Sequence, residues 1–241
     1  MTAYALPFRR LRLALAAACL AVPVLALAQD QDPPPSVAVA AKVGFLTGIG
    51  LDVVVPVADN VNLRAGGTGW RHDRNFTESG IDYKGELRLR TGGVFADWYP
   101  TRGIFRVTAG LVRNTSRFTL NGKPSAGQTV QIGDNTYQAA DLGVVEGQVN
   151  FNHNLAPFIG VGFGNPTIGG HWGFVAELGA IRQRTPRATL TATCSTTLQA
   201  ADPARCAQLQ ADANAEQADL QDAMKDWRWY PALSVGLAFR F

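Results

Sequence analysis

The sequence ends on a strict alternation of residue types, WYPALSVGLAFRF. Counting back from Phe241, every second position carries an apolar side chain, and the positions between carry mostly small or polar residues such as Ser234, Gly236 and Arg240. Side chains of a β-strand point to opposite faces with a period of two, so this stretch predicts a strand with one apolar face. Whatever contacts that apolar face determines the fold.

The same alternation recurs upstream. In VGFLTGIGLDVVV, which predicts one strand from Val43 to Val55, apolar residues oppose glycine and Asp52. The opposing charge is Arg106 in IFRVTAGLVRN, Glu146 in VVEGQVNFN and Glu177 in WGFVAELGAIRQ. A soluble sandwich needs large apolar residues that interdigitate across a core. An apolar face opposed by glycine, alanine and charge predicts instead an all-β, antiparallel up-and-down transmembrane barrel, with lipid outside and a polar lumen inside.

The stretch IDYKGELRLRTGGVFADWYP has the most highly charged face. Its row from Tyr83 to Phe95 is apolar or small and is assigned to lipid, and the opposite, charged row is assigned to the lumen. Together with charges of the other strands, this predicts a lumen charge network of Asp52, Arg64, Lys84, Glu86, Arg88, Arg90, Arg106, Glu146 and Glu177. Such charges should pair across strands, because an unpaired charge in a confined lumen is costly.

The number of strands decides whether that network closes the lumen. Nine segments from Lys42 to Phe241 fit the pattern, whereas a bacterial single-chain barrel has an even number. The favoured prediction is eight strands, with one short segment outside the membrane, and SVAVAAK would make ten. Eight strands leave an interior that side chains fill, and ten would leave room for a narrow polar pore.

The N-terminal segment has the features of a signal peptide. A stretch with Arg9, Arg10 and Arg12 precedes an apolar run and an Ala26-Leu27-Ala28 cleavage pattern, which predicts a signal peptide over 1–28 and a flexible leader, QDQDPPP onward, over 29–41. The barrel then occupies 42–241. Acylation at Cys19 is the alternative, although the residues before it lack the expected leucine.

The charge of the chain gives no sign of nucleic-acid binding. The formal net charge is +3, and removal of the three arginines of the predicted signal peptide leaves 3 − 3 = 0. The two cysteines that remain, Cys194 and Cys206, enter an oxidising compartment and predict a disulfide, with two buried free thiols as the alternative.

One segment departs from the strand pattern. DPARCAQLQADANAEQADLQDAMKDW has an Asp cap, Pro203 at the first helical position and alanine-rich helix formers, so it predicts a helix over about 203–226 inside the last long loop. Its acidic residues predict a solvated face. The alternative is a contact with a protein partner or with divalent cations that bridge lipopolysaccharide.

The sequence offers no catalytic constellation. The histidines His72, His153 and His171 fall in predicted loops or strand ends, and no G-x-S-x-G or H-x-S motif accompanies them. There is neither a CxxC motif nor a Cys/His cluster. We therefore predict no enzyme activity, no metal site and no cofactor.

The signal peptide, the alternating strands, the mixture of long and short connections and the terminal LSVGLAFRF together resemble small Gram-negative outer-membrane barrels of the OmpA, OmpX and OmpW type. The resemblance implies a location in the cell outer membrane, with outer-membrane lipid, lipopolysaccharide and the barrel-assembly machinery as partners. It also implies that the last strand is an assembly signal, carried by Leu233, Val235, Leu237, Phe239 and Phe241.

Three functions remain open at this point. A barrel with a plugged lumen would serve a structural role in the envelope, and a less tightly filled one would conduct small solutes. The third alternative is a soluble periplasmic β protein.

Overall fold

The computed structural model describes residues 36–78, 81–124, 127–151 and 155–241. The predicted signal peptide, most of the predicted leader and His153 lie outside the described residues. The strands are β1 Ala38–Phe45, β2 Gly48–Ala58, β3 Val61–Glu78, β4 Ile81–Trp98, β5 Phe105–Asn114, β6 Arg117–Pro124, β7 Thr129–Ile132, β8 Asn135–Gln138, β9 Leu142–Asn150, β10 Ala156–Phe163, β11 Trp172–Arg182, β12 Arg187–Cys194 and β13 Trp229–Arg240. The helices are α1 Thr196–Ala201 and α2 Pro203–Ala223.

Eight of these strands close into an antiparallel barrel. The order is β4-β3-β2-β1-β13-β11-β10-β5, and β5 returns to pair with the second half of β4, where Leu111 lies opposite Val94. The first and last strands of the barrel are neighbours, with Ala38 opposite Arg240. The prediction of an eight-stranded up-and-down barrel is therefore confirmed.

The first hairpin of the barrel is a correction to the sequence prediction. The stretch predicted as one strand forms the end of β1 and the start of β2, joined by a tight turn at Leu46 and Thr47. Leu46 and Gly48 have φ values of 62° and 90°, which the turn requires and which glycine adopts without strain. Because the turn contains two residues, Val43 on β1 and Ile49 on β2 still point to the same face of the sheet. The barrel also begins at Ala38, inside the predicted leader.

The connections differ between the two ends of the barrel. Short turns at 59–60, 99–104 and 164–171 lie at the end that also holds Ser36 and Phe241, whose backbone accepts a 2.8 Å hydrogen bond from the Ser36 hydroxyl. The long connections, 115–155 and 183–228, lie at the other end. We call these the terminal end and the loop end. Neither helix of the described residues has the length and apolar character of a membrane span.

At the loop end the sheet continues beyond the barrel as an extension. The first half of β4 pairs with β6 in place of β5, and the sheet continues through β9 to β12. The β7–β8 hairpin and α2 cover its inner face, with Val130, Tyr137, Leu142, Ala192 and Leu209 in the apolar core between them. Here the inner face is the apolar one, as in an ordinary soluble domain.

Helix α2 also covers the free edge of β12. The backbone N–H groups of Ala188 and Leu190 donate to the side-chain carbonyls of Gln221 and Gln217, at 3.0 and 2.9 Å. A covered edge cannot pair with a second chain. A disulfide between Cys194 at the end of β12 and Cys206 in α2 joins the two elements, as the sequence predicts. The helix follows the predicted start and ends at Ala223.

The outer surface of the barrel carries an apolar belt. Its exposed side chains come from successive strands and include Val43, Phe45, Ile49, Leu51, Val53, Leu63, Val94, Leu111, Ile159, Phe174, Leu178, Leu233, Val235 and Leu237. Exposed aromatic rings lie at both ends of the barrel, with Trp98, Phe163, Trp172 and Phe241 at the terminal end and Phe45, Trp70 and Trp229 at the loop end. Monomeric soluble proteins rarely expose a contiguous apolar surface of this extent.

Candidate functional site

Six charged side chains from six different strands meet inside the barrel near its terminal end. They project inward because each lies between two residues that face the outside on its own strand. We call this set the charge cluster: Lys42, Asp52, Arg64, Asp97, Arg106 and Glu177. All except Lys42 are buried, and the Lys42 side chain is 12% exposed.

Arg64 is the centre of the charge cluster. Its Nε and Nη2 atoms donate to Oδ2 and Oδ1 of Asp97 at 2.9 and 3.2 Å, which is the bidentate geometry favoured between guanidinium and carboxylate. Nη1 donates to Oδ2 of Asp52 at 3.0 Å, and Nη2 also donates to Glu177. The guanidinium lies 4.4 Å from the centre of the Phe95 ring. One cation thus binds three carboxylates and an aromatic face.

Two further cations complete the charge cluster. Lys42 donates to Asp52 Oδ2 at 2.7 Å. Arg106 donates through Nη2 to Glu177 Oε2 at 3.3 Å and through Nη1 to the carbonyl of Gly164 at 2.9 Å. The hydroxyl of Thr108 donates to Asp97 Oδ1 at 2.7 Å. Each of the three carboxylates therefore has at least one cationic partner.

The charges of the cluster balance, with three cations and three carboxylates: +3 − 3 = 0. Balance matters because removing one partner of a buried ion pair leaves an uncompensated charge, which is strongly destabilising. A neutral, mutually bonded cluster has no net charge with which to attract an ion of either sign.

An apolar layer lies above the charge cluster, toward the loop end. Phe95 and Phe158 meet edge to face with ring centres 5.2 Å apart, beside Val112, Ile181 and Tyr230. Between this layer and the charges there is a cavity of about 40 Å³. Phe95 and Phe158 of the apolar layer and Lys42 and Glu177 of the charge cluster all line this cavity.

The structure places only part of the predicted network in the lumen. Asp52, Arg64, Arg106 and Glu177 lie together there. Glu146 is exposed on β9 in the extension. The remaining predicted members, on β4, lie on the outer face of the sheet at the loop end: Lys84, Glu86, Arg88 and Arg90. They share a face with Val94 and Trp98 of the belt, since residues of equal parity on one strand lie on one side.

Sequence reasoning missed two members of the charge cluster. Asp97 was overlooked because Phe95, two positions earlier, is assigned to lipid from the sequence, whereas it faces the lumen. Lys42 and Asp52 are an even number of residues apart, so the predicted alternation already places both on the same face. Lys42 was missed because the strand was predicted to begin only at Val43.

The solved structures provide a match to this architecture. The barrel is similar to CarO of Acinetobacter baumannii. The two proteins are 22% identical, with a TM-score of 0.57, and the match covers 86% of this chain and 98% of CarO. CarO2 of the same organism is 20% identical over 86% of this chain and 99% of its own, with a TM-score of 0.58.

A major outer membrane protein of Thermus thermophilus is a more distant match, 14% identical with a TM-score of 0.37, covering 88% of this chain and all of its own. No family model and no curated protein match the sequence. The similarity to CarO extends over nearly its whole length, so the barrel and its extension belong to a common fold. At this level of identity the similarity concerns the fold alone.

The two described histidines lie apart from the charge cluster. His72 is exposed on β3, and the His171 ring lies 6.1 Å from the Phe239 ring at the terminal end. Among the described residues, no three His, Cys, Asp or Glu side chains are placed to hold a metal ion.

Proposed function

We propose that this chain is an integral barrel of a Gram-negative outer membrane, with a closed lumen and a structural, non-enzymatic role in the envelope. The observation that carries the proposal is the combination of a lipid-compatible exterior with a lumen filled by a charge-neutral cluster and an apolar layer. A solute path of the kind found in porins needs a water-filled interior.

The dimensions of the belt support insertion into a membrane. Trp98 and Arg90 lie on the same face of β4, about 26 Å apart along the strand at roughly 3.3 Å per residue. At a strand tilt of about 40° this is about 20 Å along the barrel axis, close to the roughly 25 Å height of the apolar band of outer-membrane barrels. The aromatic rings at the terminal end fit the girdle that such barrels place at a membrane interface.

The side-chain composition of the lumen supports a closed state. Opening a path through it would separate Arg64 from three carboxylates or expose the Phe95 and Phe158 rings to water. Either change removes favourable interactions, and nothing else in the lumen replaces them. A small-solute channel is therefore the less favoured function of the same barrel.

Fractionation and electrophoresis together test the membrane part of the proposal. We expect the full-length protein, expressed in a Gram-negative host, to sediment with outer membranes. We also expect it to migrate faster unheated than heated on a denaturing gel, because a closed barrel resists detergent. Recovery in the periplasmic supernatant, with one heat-independent band, would favour the soluble alternative.

A further inference from the structure

A hollow on the outer face of the barrel is lined by four arginines. It lies at the loop end, where β4 changes partner from β5 to β6, and it encloses about 680 Å³ of open space. We call it the arginine pocket, and its cationic residues are Arg88, Arg90, Arg113 and Arg117. All four are exposed, and no acidic residue lines it.

The backbone arrangement makes the hollow. Arg90 is paired in register with Gly69, and Arg113 with Gly92, so each arginine has no side chain beside it on one of its two sides. The rest of the lining consists of glycines and hydroxyl residues: Gly67, Gly92, Thr68, Thr91 and Thr115. The result is a hollow with a floor of glycine backbone and threonine side chains and with guanidinium groups around it. Arginine side chains bind phosphate oxygens through charge-assisted hydrogen bonds.

The arginines repel one another in the absence of a ligand. Arg88 lies directly opposite Arg71 on one side and Arg117 on the other, and like charges directly opposite in a sheet are destabilising. Arg71 is compensated by Asp73 and Glu86, at 3.5 and 3.4 Å. Within the described part of the chain, no ion pair forms at Arg88, Arg90 or Arg113. An anion in the hollow would remove this repulsion.

The height of the arginine pocket identifies the source of the anion. On β5, Arg113 follows the belt residue Leu111 on the same face, about 7 Å further along the strand. On β4, Arg90 follows Val94 on the same face, about 13 Å further. The guanidinium groups therefore stand just above the apolar belt, where the headgroups of the surrounding lipid begin. The four arginines lie on the outer face of the sheet, and Thr68 and Thr91 of the lining also border the lumen cavity.

From this geometry we propose that the arginine pocket binds the phosphate groups of a phosphorylated glycolipid of the lipopolysaccharide type in the outer leaflet. The inference rests on the membrane insertion proposed above. The four guanidinium groups lie together at the loop end of the belt, where exposed aromatic rings such as Trp70 are also found. Arginine binds phosphate oxygens through two parallel N–H groups, which gives geometric selectivity as well as charge.

The test compares lipid binding by the full-length barrel and two charge-matched variants. Purified protein in phosphatidylcholine nanodiscs is titrated with bis-phosphorylated lipid A, with lipid A stripped of both phosphates, and with inorganic phosphate. The pocket variant is R90Q/R113Q/R117Q, and the control variant R74Q/R102Q/R184Q removes the same number of exposed arginines elsewhere. Heat-dependent gel migration of each protein reports barrel insertion separately.

We expect bis-phosphorylated lipid A to bind the unaltered protein and the control at least about tenfold more tightly than the pocket variant. Dephosphorylated lipid A should bind all three equally weakly. Equal binding of bis-phosphorylated lipid A by all three inserted proteins would overturn the inference and leave the membrane proposal intact. Saturable binding of inorganic phosphate without preference for lipid A would assign the pocket to a free anion and also overturn it. Failure of every protein to insert would refute the proposed function instead.

Discussion

Arg64 on β3 and Asp97 on β4 form a two-bond ion pair inside the barrel, with N···O distances of 2.9 and 3.2 Å. Replacing Arg64 with Met leaves Asp52, Asp97 and Glu177 with only two cations between them. An unpaired buried carboxylate costs about 3 to 5 kcal/mol. We expect R64M to lower the free energy of unfolding by that amount, measured by urea titration of the refolded barrel with tryptophan fluorescence.

The exposed ion pair of Arg102 with Asp59, at 3.8 Å in a turn of the terminal end, is the matched control. R102M should change the free energy of unfolding by less than about 1 kcal/mol, because water screens exposed pairs. The double variant R64M/E177Q removes one cation and one carboxylate and should recover part of the loss. Equal stability of R64M and R102M would show that the charge cluster is not a paired unit.

The extension has its own acid sensitivity. Hydrogen bonds donated by Tyr137 and Asn135, at 2.5 and 2.8 Å, hold the pKa of Asp212 below its usual value. A carboxyl whose pKa is lower in the folded state stabilises the fold above its unfolded pKa of about 3.9, and that contribution is lost as the pH falls through the folded value. We expect amide exchange in α2, corrected for the intrinsic rate, to accelerate below about pH 4.

D212N should not show the faster exchange of α2 at low pH, and D219N, at an exposed position of α2, should still show it. The same acceleration at low pH in D212N would assign the acid sensitivity to another group.

Burial and the contact with Asp212 raise the pKa of Tyr137 to about 12. A tyrosine whose pKa is raised in the folded state stabilises the fold below its unfolded pKa of about 10. We therefore expect a loss of stability of the extension between about pH 10 and about pH 12.

The glutamines of α2 protect the edge of β12. In Q217A/Q221A the N–H groups of Leu190 and Ala188 lose their acceptors, each worth about 1 kcal/mol. We expect these two amides to exchange roughly fivefold faster, as measured by NMR or mass spectrometry, and the protein to self-associate more readily. Q210A, at an exposed position of α2, should exchange like the unaltered protein. Unchanged protection in Q217A/Q221A would mean that the helix does not cap this edge.

The C-terminal residue gives a prediction about assembly. Phe241 is 72% exposed at the terminal end, and among the described rings it packs edge to face against Phe239 alone, at 5.3 Å. F241S should therefore leave the stability of the refolded barrel nearly unchanged while lowering the amount assembled in cells, if the residue is read as an assembly signal. V57S, at another exposed apolar position, is the control. Normal cellular assembly of F241S would remove the assembly-signal interpretation.

The barrel could be predicted from the sequence because its exterior obeys one rule. Val43, Leu51, Leu233 and Leu237 all lie on the outer face that the alternation assigns to them. The rule survives the missed turn at Leu46 and Thr47, because a two-residue turn preserves the parity of the flanking strands. The strand count is ambiguous from the sequence because three pairs of strands each lie end to end along the sheet. The pairs are β5 and β6, β9 and β10, and β11 and β12.

The row of charges on β4 was assigned to the wrong side because the meaning of the alternation reverses along that strand. Near Asp97 the inner face is polar and the outer face apolar, as in a transmembrane barrel. Near Tyr83 the inner face packs on the core of the extension, so the charged row points outward. A period of two reveals which residues share a face but contains no information about where a strand leaves the membrane. The long hairpin of β3 and β4 runs from the barrel into the extension.

The central claim is that the lumen is closed, and planar-bilayer conductance of the refolded, full-length protein tests it most directly. E86A and R88A are insertion controls, since both residues lie in the extension outside the lumen. We expect the unaltered protein and both controls to insert without resolved conductance steps, and F95A/F158A, which removes the apolar layer, to produce small steps. Stable single-channel steps from the unaltered protein would contradict the closed lumen and establish a channel.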